Sequence, residues 1–332
     1  MSKAGAGRRD TAERMPEGFQ PFQHPRLVTS PPAGPGWIHE IKFDGYRLQA
    51  NVGAPVHLFT RNGHDWTHRL PELAADLRTL PPCILDCELC ALDAQGRPDF
   101  SKLQAALAKG RTADLVLFVF DILWGKGGDQ RQQPLAHRKA VLQEVLGVSF
   151  SERLREVDAL PGGGSALLAS ACRLGLEGVV SKAQDSHYAG GRQGGWLKSK
   201  CRPKIDVVVG GFLEAPLKPF GGLLVGVYEA SGLHYVGSVR SGFGARDREM
   251  LARLRALEVD RSPFVGGGDR GGRRSSAEHW VRPELVAMIE IAEWTAGGKL
   301  RQASFKGFRE DLSPLEVRRE RPRAVADGLS GR

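Results

Sequence analysis

The chain has 332 residues, 41% apolar and 26% charged, and its 47 Lys and Arg against 38 Asp and Glu give a formal charge of +9. That length accommodates two ordinary domains, and that composition excludes disorder over the whole chain. The positive balance points to a polyanionic partner, because Lys and Arg gain free energy by releasing counterions from phosphate backbones. The opening stretch MSKAGAGRRDTAER lacks the apolar core of a signal segment, and no run approaches the ~18 apolar residues that a membrane span requires. A cytoplasmic protein is expected. Five cysteines without regular pairing do not read as a disulfide framework. Cys83, Cys87 and Cys90 lie close together in CILDCELC, but that run looks like a strand and no second cluster completes a four-ligand zinc site.

Residues 1–20 are small, charged and flanked by Gly and Pro, and are expected to form a flexible lead-in. Strand-like runs follow at WIHEIKFDGYRLQANV, VHLFTRNG, CILDCELCALDA and LVLFVFDILW, divided by turn residues such as Asn62-Gly63 and Gln95-Gly96. Helical patterns alternate with them at SKLQAALAKG, at PLAHRKAVLQEVLG with its leading Pro, and at SALLASACRLG after the PGGG loop. An α+β domain over residues 21–202 is expected from this mixture. Near Cys201 the texture changes to short β runs, IDVVVGGFLE, GLLVGVYEA and LHYVGSVRSGF, then a helix at RDREMLARLRAL and another β run at LVAMIEIAEWT. That density of short strands over residues 203–317 fits a small barrel such as an OB-fold. Residues 318–332 have no apolar period and read as a flexible tail, and no internal repeat is visible.

The chemistry starts at EIKFDGYR, residues 40–47, where a strand carries Lys42 and breaks at Asp44-Gly45. A lysine amine is a nucleophile only when neutral, and a site favours that form by burial or by placing cations and a metal nearby. On its own, K-x-D-G-x-R also occurs as a surface lysine beside a β-turn. A lysine attacking a nucleotide phosphate needs more: a metal site, cations for the phosphates and a clamp for the base. Glu88 in LDCELC and Glu177 in GLEGVVSK supply hard carboxylate oxygens suited to Mg²⁺ or Mn²⁺. Lys198 and Lys200 alternate in WLKSK, so a strand would aim both at one pocket. Phe120, taken alone in its apolar strand, reads as a core residue. His39, His64 and His68 have no metal-ligand spacing and read as polar or packing residues.

The ordered series KFDGYR, RNG, LDCEL, FVFD, EGVVSK and WLKSK resembles the nucleotidyltransferase motifs of the ATP-dependent DNA ligases, a superfamily shared with capping enzymes and RNA ligases. LFTRNGHDWT, HYAGGRQGGWLKSK, HWVRPELVAMIEIAEWT and ASFKGFRED look like the ligase domain of bacterial ligase D, the enzyme of non-homologous end joining, here in an expected stand-alone form. The resemblance covers roughly residues 20–316. It implies an α+β nucleotidyltransferase (ATP-grasp-like ligase adenylation) domain followed by a small OB-fold β-barrel domain. It also implies that Lys42 attacks the α-phosphate of ATP, that Arg47 and Arg61 hold phosphate or nick-flanking groups, and that Glu40 sits near the adenine. Glu88 would engage ribose or metal, Phe120 would stack on adenine, Glu177 would bind the metal, and Lys198 and Lys200 would neutralise phosphates. The last motif, FKGFREDL, offers Lys306 and Arg309 for the pyrophosphate side of ATP, and carries Leu312 where the family commonly has a lysine. Implied partners are nicked or broken double-stranded DNA and bacterial Ku, with a divalent metal, Mg²⁺ or Mn²⁺, and a monomeric, nucleoid-associated protein.

The rivals are a capping-type guanylyltransferase, which would charge with GTP, and an RNA ligase, against which the OB-like C-terminal region argues. An NAD-dependent ligase is disfavoured by the short stretch before Lys42 and by the lack of a paired-cysteine zinc module. A catalytically inactive basic OB-fold DNA-binding protein would keep salt-sensitive DNA affinity without forming a covalent adenylate.

Overall fold

Two β-sheets meet at the K-x-D-G segment, and that junction organises the N-terminal half. In the computed structural model, which describes residues 14–319 except 150, 161–162, 193–194, 202–203, 216–217, 245–246, 268–277 and 296, the strand Trp37–Lys42 belongs to one sheet and Tyr46–Val52 to the other. Most of the expected lead-in, the end of the expected tail and most of the Gly-rich run after Val265 lie outside the described residues. The first sheet has the order Arg26–Leu27, Trp196–Lys200, Gly178–Ala183, Trp37–Lys42. The second places Tyr46–Val52 between His57–Thr60 and Cys83–Cys90, with Val116–Gly125 beyond.

The alternation seen in the sequence explains the packing. In Tyr46–Val52 the residues Tyr46, Leu48, Ala50 and Val52 share one face, and all are buried in a core with Leu85, Cys87 and Leu89 of the neighbouring strand. Gly45 is required by close approach: a Cβ there would lie 2.0 Å from the Leu89 carbonyl oxygen. The apolar face of the helix Pro71–Leu77, with Leu73, Ala74 and Leu77, closes this core. The helix Leu135–Leu146 is held against the strand Val116–Gly125 by a fully buried ion pair. Arg138 donates from Nε and Nη2 to the two carboxylate oxygens of Asp121, each at 2.8 Å, and from Nη1 to the carbonyls of Gln133 and Ser186.

The C-terminal half is a twisted antiparallel sheet in the order Gly232–Val239, Lys218–Glu229, Lys204–Ala215, Glu278–Glu290, with Ser304–Arg309 also pairing Glu278–Glu290. A bridge between Ser241 and Ser304 joins its two sides, as an OB-type barrel requires. Val207, Val209, Phe212, Leu223, Val225 and Ile289 fill its interior, and Met250, Leu251 and Leu254 of the helix Asp247–Arg255 pack on it. Leu312 is buried in this core. The α+β expectation and the small β-barrel that follows it are both met. Among the described residues no helix is long and apolar enough to cross a membrane.

One expectation is corrected. Cys172, at the end of the helix Gly164–Arg173, and Cys201, at the end of the strand Trp196–Lys200, form a disulfide across Cα atoms 5.1 Å apart. Their separation of 29 residues gave no sign of it, because only the packing of that helix beside the sheet brings them together. Cys83, Cys87 and Cys90 are free and buried, as a strand assignment requires.

Removing one partner of a buried ion pair strands the other charge. Arg138→Met is therefore expected to lower unfolding free energy by about 3–5 kcal/mol in denaturant titration, whereas Arg97→Ala, which breaks an exposed pair with Asp93, is expected to leave the unfolding midpoint nearly unchanged.

Candidate active site

Lys42 ends its strand at the rim of a cavity between the two sheets, roofed by the C-terminal barrel. The cavity is lined by Glu40, Arg47, Arg61, Glu88, Phe120 and Glu177, by Lys198 and Lys200, and by Arg309 and Leu312 of the barrel. Strand alternation puts Glu40 and Lys42 on one face of Trp37–Lys42 and Lys198 and Lys200 on one face of Trp196–Lys200, so both pairs reach the cavity as expected. Glu177 is not in a strand but in the residue before Gly178–Ala183, opposite the end of the Lys42 strand, where Lys42 and Gly178 are register partners. Gly178 has φ 154°, and a Cβ there would meet the Ser199 carbonyl oxygen at 2.1 Å, so this turn needs glycine.

The Lys42 ammonium donates to Glu177 Oε2 at 2.7 Å, and Lys200 Nζ lies 3.5 Å from Glu177 Oε1. Burial disfavours the charged lysine, but Glu177 and Glu88 outweigh it and hold its pKa above the ordinary lysine value. Burial likewise pushes the Glu177 carboxyl up, but Lys42, Lys200 and Lys204 overcome this and bring it down to about 2. Glu88 accepts from the Gly45 amide at 3.1 Å, and burial raises its pKa to about 7 against the pull of Lys42, Arg309 and Arg47. Asp44 pairs with Lys204 at 2.6 Å, tying the turn after the lysine to the first strand of the barrel.

Cations surround the rest of the cavity. Arg47 is locked against Asp86 by bonds of 2.8 and 2.6 Å, and Asp86 in turn accepts from the Tyr188 hydroxyl at 2.7 Å. Its guanidinium lies 4.4 Å from the Phe22 ring centroid and 5.4 Å from that of Phe120. Arg309 pairs with Asp311 at 2.6 Å and lies over the Tyr46 ring, while the Tyr46 hydroxyl donates to the Phe308 carbonyl at 3.3 Å. Gln104 also bonds that carbonyl, so the last motif is docked on the N-terminal half. His24, driven down to about 3 by burial and by Arg47, Arg61, Arg192 and Lys198, is a neutral acceptor among these cations. His24, Arg61 and Arg192 also line an adjoining cavity. Together they make a site for anionic oxygens beside the lysine.

Of the residues singled out in the sequence, Lys306 is not brought into the cavity. Its Nζ pairs with Glu290 at 3.2 Å, and Lys306 is the extra residue of a bulge in Ser304–Arg309, where Phe305 and Gly307 are the register partners of Ile289 and Met288. Leu312 lines the cavity but is held in the barrel core. His39 donates to or accepts from Ser181 Oγ at 2.8 Å and is a buried structural histidine. The residues missed include Lys182 and Arg192, which stood unremarked inside EGVVSK and HYAGGRQGG. His24 and Lys139 carried no local signal at all, since only the fold brings them to the site.

Glu88 and Glu177 both face the lysine with hard oxygens, and a Mg²⁺-type ion needs only one or two protein carboxylates when phosphates and water supply the rest. Among the described residues no group of three or more His, Cys, Asp or Glu forms a complete metal cage. The donor chemistry fits a divalent cation shared with a phosphate ligand.

Glu88 holds its proton in the folded protein up to about pH 7, whereas the unfolded chain releases it near 4.5, so its burial costs stability as pH rises between those values. In metal-free buffer Glu88→Gln is expected to stabilise the fold at pH 8 by on the order of 1–3 kcal/mol and to make no difference at pH 4, as read by chemical unfolding at the two pH values.

Residues 21–200 match the family described as the ATP dependent DNA ligase domain, and residues 217–312 match the ATP dependent DNA ligase C terminal region. The chain is 40% identical over 317 residues to the multifunctional non-homologous end joining protein LigD of Pseudomonas aeruginosa, covering 93% of this chain. It is 34% identical over 293 residues to the LigD protein of Mycobacterium tuberculosis, covering 86% of this chain. The chain spans 37% of the length of each of these relatives. A solved mycobacterial DNA ligase D, complexed with ATP and MES, superposes with a TM-score of 0.62 at 32% identity, covering 89% of this chain and 98% of that one. Because the ligase domain pattern takes in residues 21–200 and the C-terminal region pattern follows it in order, the chain belongs to the ATP-dependent DNA ligase family.

Proposed function

We propose that this chain is a nick-sealing and end-joining DNA ligase that charges Lys42 with AMP from ATP. The observation that carries this is the Lys42 ammonium paired with Glu177 at 2.7 Å inside a cavity lined by Glu88, Lys198, Lys200 and Arg309. An adenylation domain over residues 21–202 and an OB-fold domain over 203–317 share the work, with the joint near the end of WLKSK.

In the free protein Lys42 is protonated, and the pair with Glu177 keeps it so. A divalent cation held by Glu177 and Glu88 would supply charge for the phosphate oxygens and compete for the carboxylate that pairs with the lysine. Neutral Lys42 Nζ attacks the α-phosphorus, the bond to the bridging oxygen breaks, pyrophosphate leaves, and the nitrogen sheds its extra proton to give the phosphoramidate. Lys198 and Lys200 balance the charge that grows on the α-phosphate oxygens, and Arg309 faces the departing pyrophosphate. Glu88 meets the ribose, and Phe120 provides the stacking surface for adenine.

The second step moves AMP from Lys42 to the 5′-phosphate of a DNA break, breaking the phosphorus–nitrogen bond and forming a phosphoanhydride. Arg61 and Arg192 form the cationic seat for that phosphate beside the neutral His24, and Arg47 helps to set it. The 3′-hydroxyl then attacks the activated phosphorus, AMP leaves, and the strand is sealed. Their places in the cavity wall support roles for Glu40 and Phe120 at the base. Lys306, turned toward Glu290, is given no part.

The names of the relatives, LigD proteins of non-homologous end joining, support a role in break repair. Bacterial Ku as a partner and a monomeric chain are proposed from the sequence resemblance alone. The net charge of +9 suits duplex DNA as the polyanion. Lys42→Ala is expected to abolish sealing of a nicked duplex with ATP while still sealing a nick whose 5′-phosphate is already adenylated. Glu177→Ala is expected to slow both reactions by ~100-fold or more. Gel assays of the two substrates decide the matter. Normal ATP-driven sealing by Lys42→Ala would remove the lysine from the mechanism.

A further inference from the structure

Cys172 and Cys201 close a covalent ring around residues 173–200, and that ring contains Glu177, Lys198 and Lys200. Both ends of the ring lie close to these groups. Glu177 follows Cys172 by five residues, and Cys201 comes directly after Lys200. The Cys201 amide donates to the Glu177 carbonyl at 3.0 Å, which carries the pairing of Gly178–Ala183 with Trp196–Lys200 one rung further. The Glu177 carboxylate holds Lys42 at 2.7 Å and Lys200 at 3.5 Å, and Lys200 donates to the Lys204 carbonyl at 2.6 Å, where the first barrel strand begins.

Packing alone gives the helix Gly164–Arg173 little hold on this sheet. Of its ten residues only Gly164 and Ala171 are fully buried, and segments with few buried apolar contacts open at low cost. The disulfide ties the last turn of that helix to the end of the strand that carries Lys198 and Lys200. It is also within reach of thiols in solution, because Cys172 is exposed and Cys201 half-buried. The other cysteines are closed to such chemistry. Burial pushes the Cys83 thiol up to about 12 and those of Cys87 and Cys90 well above the ordinary thiol value, so all three keep their protons.

We propose that Cys172 and Cys201 are a thiol–disulfide exchange site, and that its oxidation state sets the rate at which Lys42 is charged by holding Glu177 and Lys200 in register with it. The effect on charging rests on the adenylation reading of the site, whereas the exchange chemistry stands apart from it. A small-molecule thiolate attacks the exposed Cys172 Sγ, the S–S bond breaks, and Cys201 leaves as a thiolate that takes up a proton. A second thiolate attacks the outer sulfur of the mixed disulfide and releases Cys172, so two thiols are oxidised to one disulfide while the protein gains two electrons. Glutathione disulfide drives the reverse sequence. With the pair open, the helix end is no longer bonded to the strand end, and the segment carrying Glu177 loses its covalent frame.

The test equilibrates the purified chain in glutathione buffers from reducing to oxidising, traps free thiols with an alkylating agent under denaturing conditions, and counts them by intact mass. Three thiols are expected at the oxidising end and five at the reducing end, with peptide mapping placing the change at Cys172 and Cys201. A count that stays at either value throughout would overturn the exchange site. Single-turnover charging with labelled ATP is read on the same samples, well below the melting temperature of either form. Reduction is expected to slow charging by about threefold to tenfold, with little change in the half-saturating ATP concentration. Glutathione disulfide should restore the rate, and the double variant Cys172→Ser with Cys201→Ser should charge at the reduced rate in every buffer. A tie that only stabilises the fold would lower the melting temperature on reduction and leave the charging rate unchanged, and that result would overturn the proposal. A redox response that persists in the double variant would overturn it too. A chain that charges with ATP in neither state would sink the adenylation reading and the control of charging with it, whereas equal charging in both states sinks this proposal alone.

Discussion

The ion pair between Lys42 and Glu177 joins segments 135 residues apart at the one place where two sheets diverge. Everything around it serves to hold two opposed charges where water is scarce. Glycines at 45 and 178 let the backbone pass close to the Leu89 and Ser199 carbonyls, and a side chain at either would push the lysine or the carboxylate out of place. Lys204 holds Asp44 from the barrel side, so the turn beside the nucleophile is fixed from both halves of the chain. A buried charge pair of this kind adds little to stability, and its retention at a cavity wall is better explained by chemistry than by folding.

The cavity has a gradient built into its walls. At one end are Glu40, Phe120 and Val180, a largely apolar surface with a single carboxylate. At the other are Lys198, Lys200, Arg309 and the cations around His24. A nucleotide is itself such an object, a flat base at one end and phosphates at the other, so the gradient supports the proposed pose with the α-phosphate at the lysine. The barrel completes the phosphate end. Arg309 is seated over Tyr46, and the Phe308 carbonyl is bonded by Tyr46 and Gln104, which makes the docked arrangement of the halves one in which Arg309 lines the cavity. A site closed this way would exclude water from the phosphoramidate proposed at Lys42.

Much of this was legible in the sequence, for a physical reason. Strand alternation carries from sequence to space directly, so spacing alone aimed Lys198 and Lys200 at one cavity, whereas Glu40 entered only through the family resemblance. The short β runs after residue 203 reported the barrel because a barrel needs many brief strands with tight turns. What spacing could not show is convergence. Lys139 sits on a helix with no motif of its own, His24 lies in an irregular segment, and Cys172 and Cys201 are joined only by tertiary packing. Lys306 was drawn toward the site by its place in FKGFRED, but it falls at a bulge between Phe305 and Gly307 and pairs with Glu290. Leu312 looked like a missing charge and proves to be a packing residue of the barrel.

The central claim is that one particular amine carries the adenylate. The most direct measurement is to incubate the purified chain with ATP and a divalent metal, confirm by intact mass the gain of one AMP, and locate the modified lysine by peptide mapping under conditions that preserve the phosphoramidate. The account predicts a single adenylate on the peptide that contains Lys42, released when nicked DNA is added. An adenylate found on Lys198, Lys200 or another lysine, or sealing of nicked DNA with no adenylated protein at any time, would contradict it.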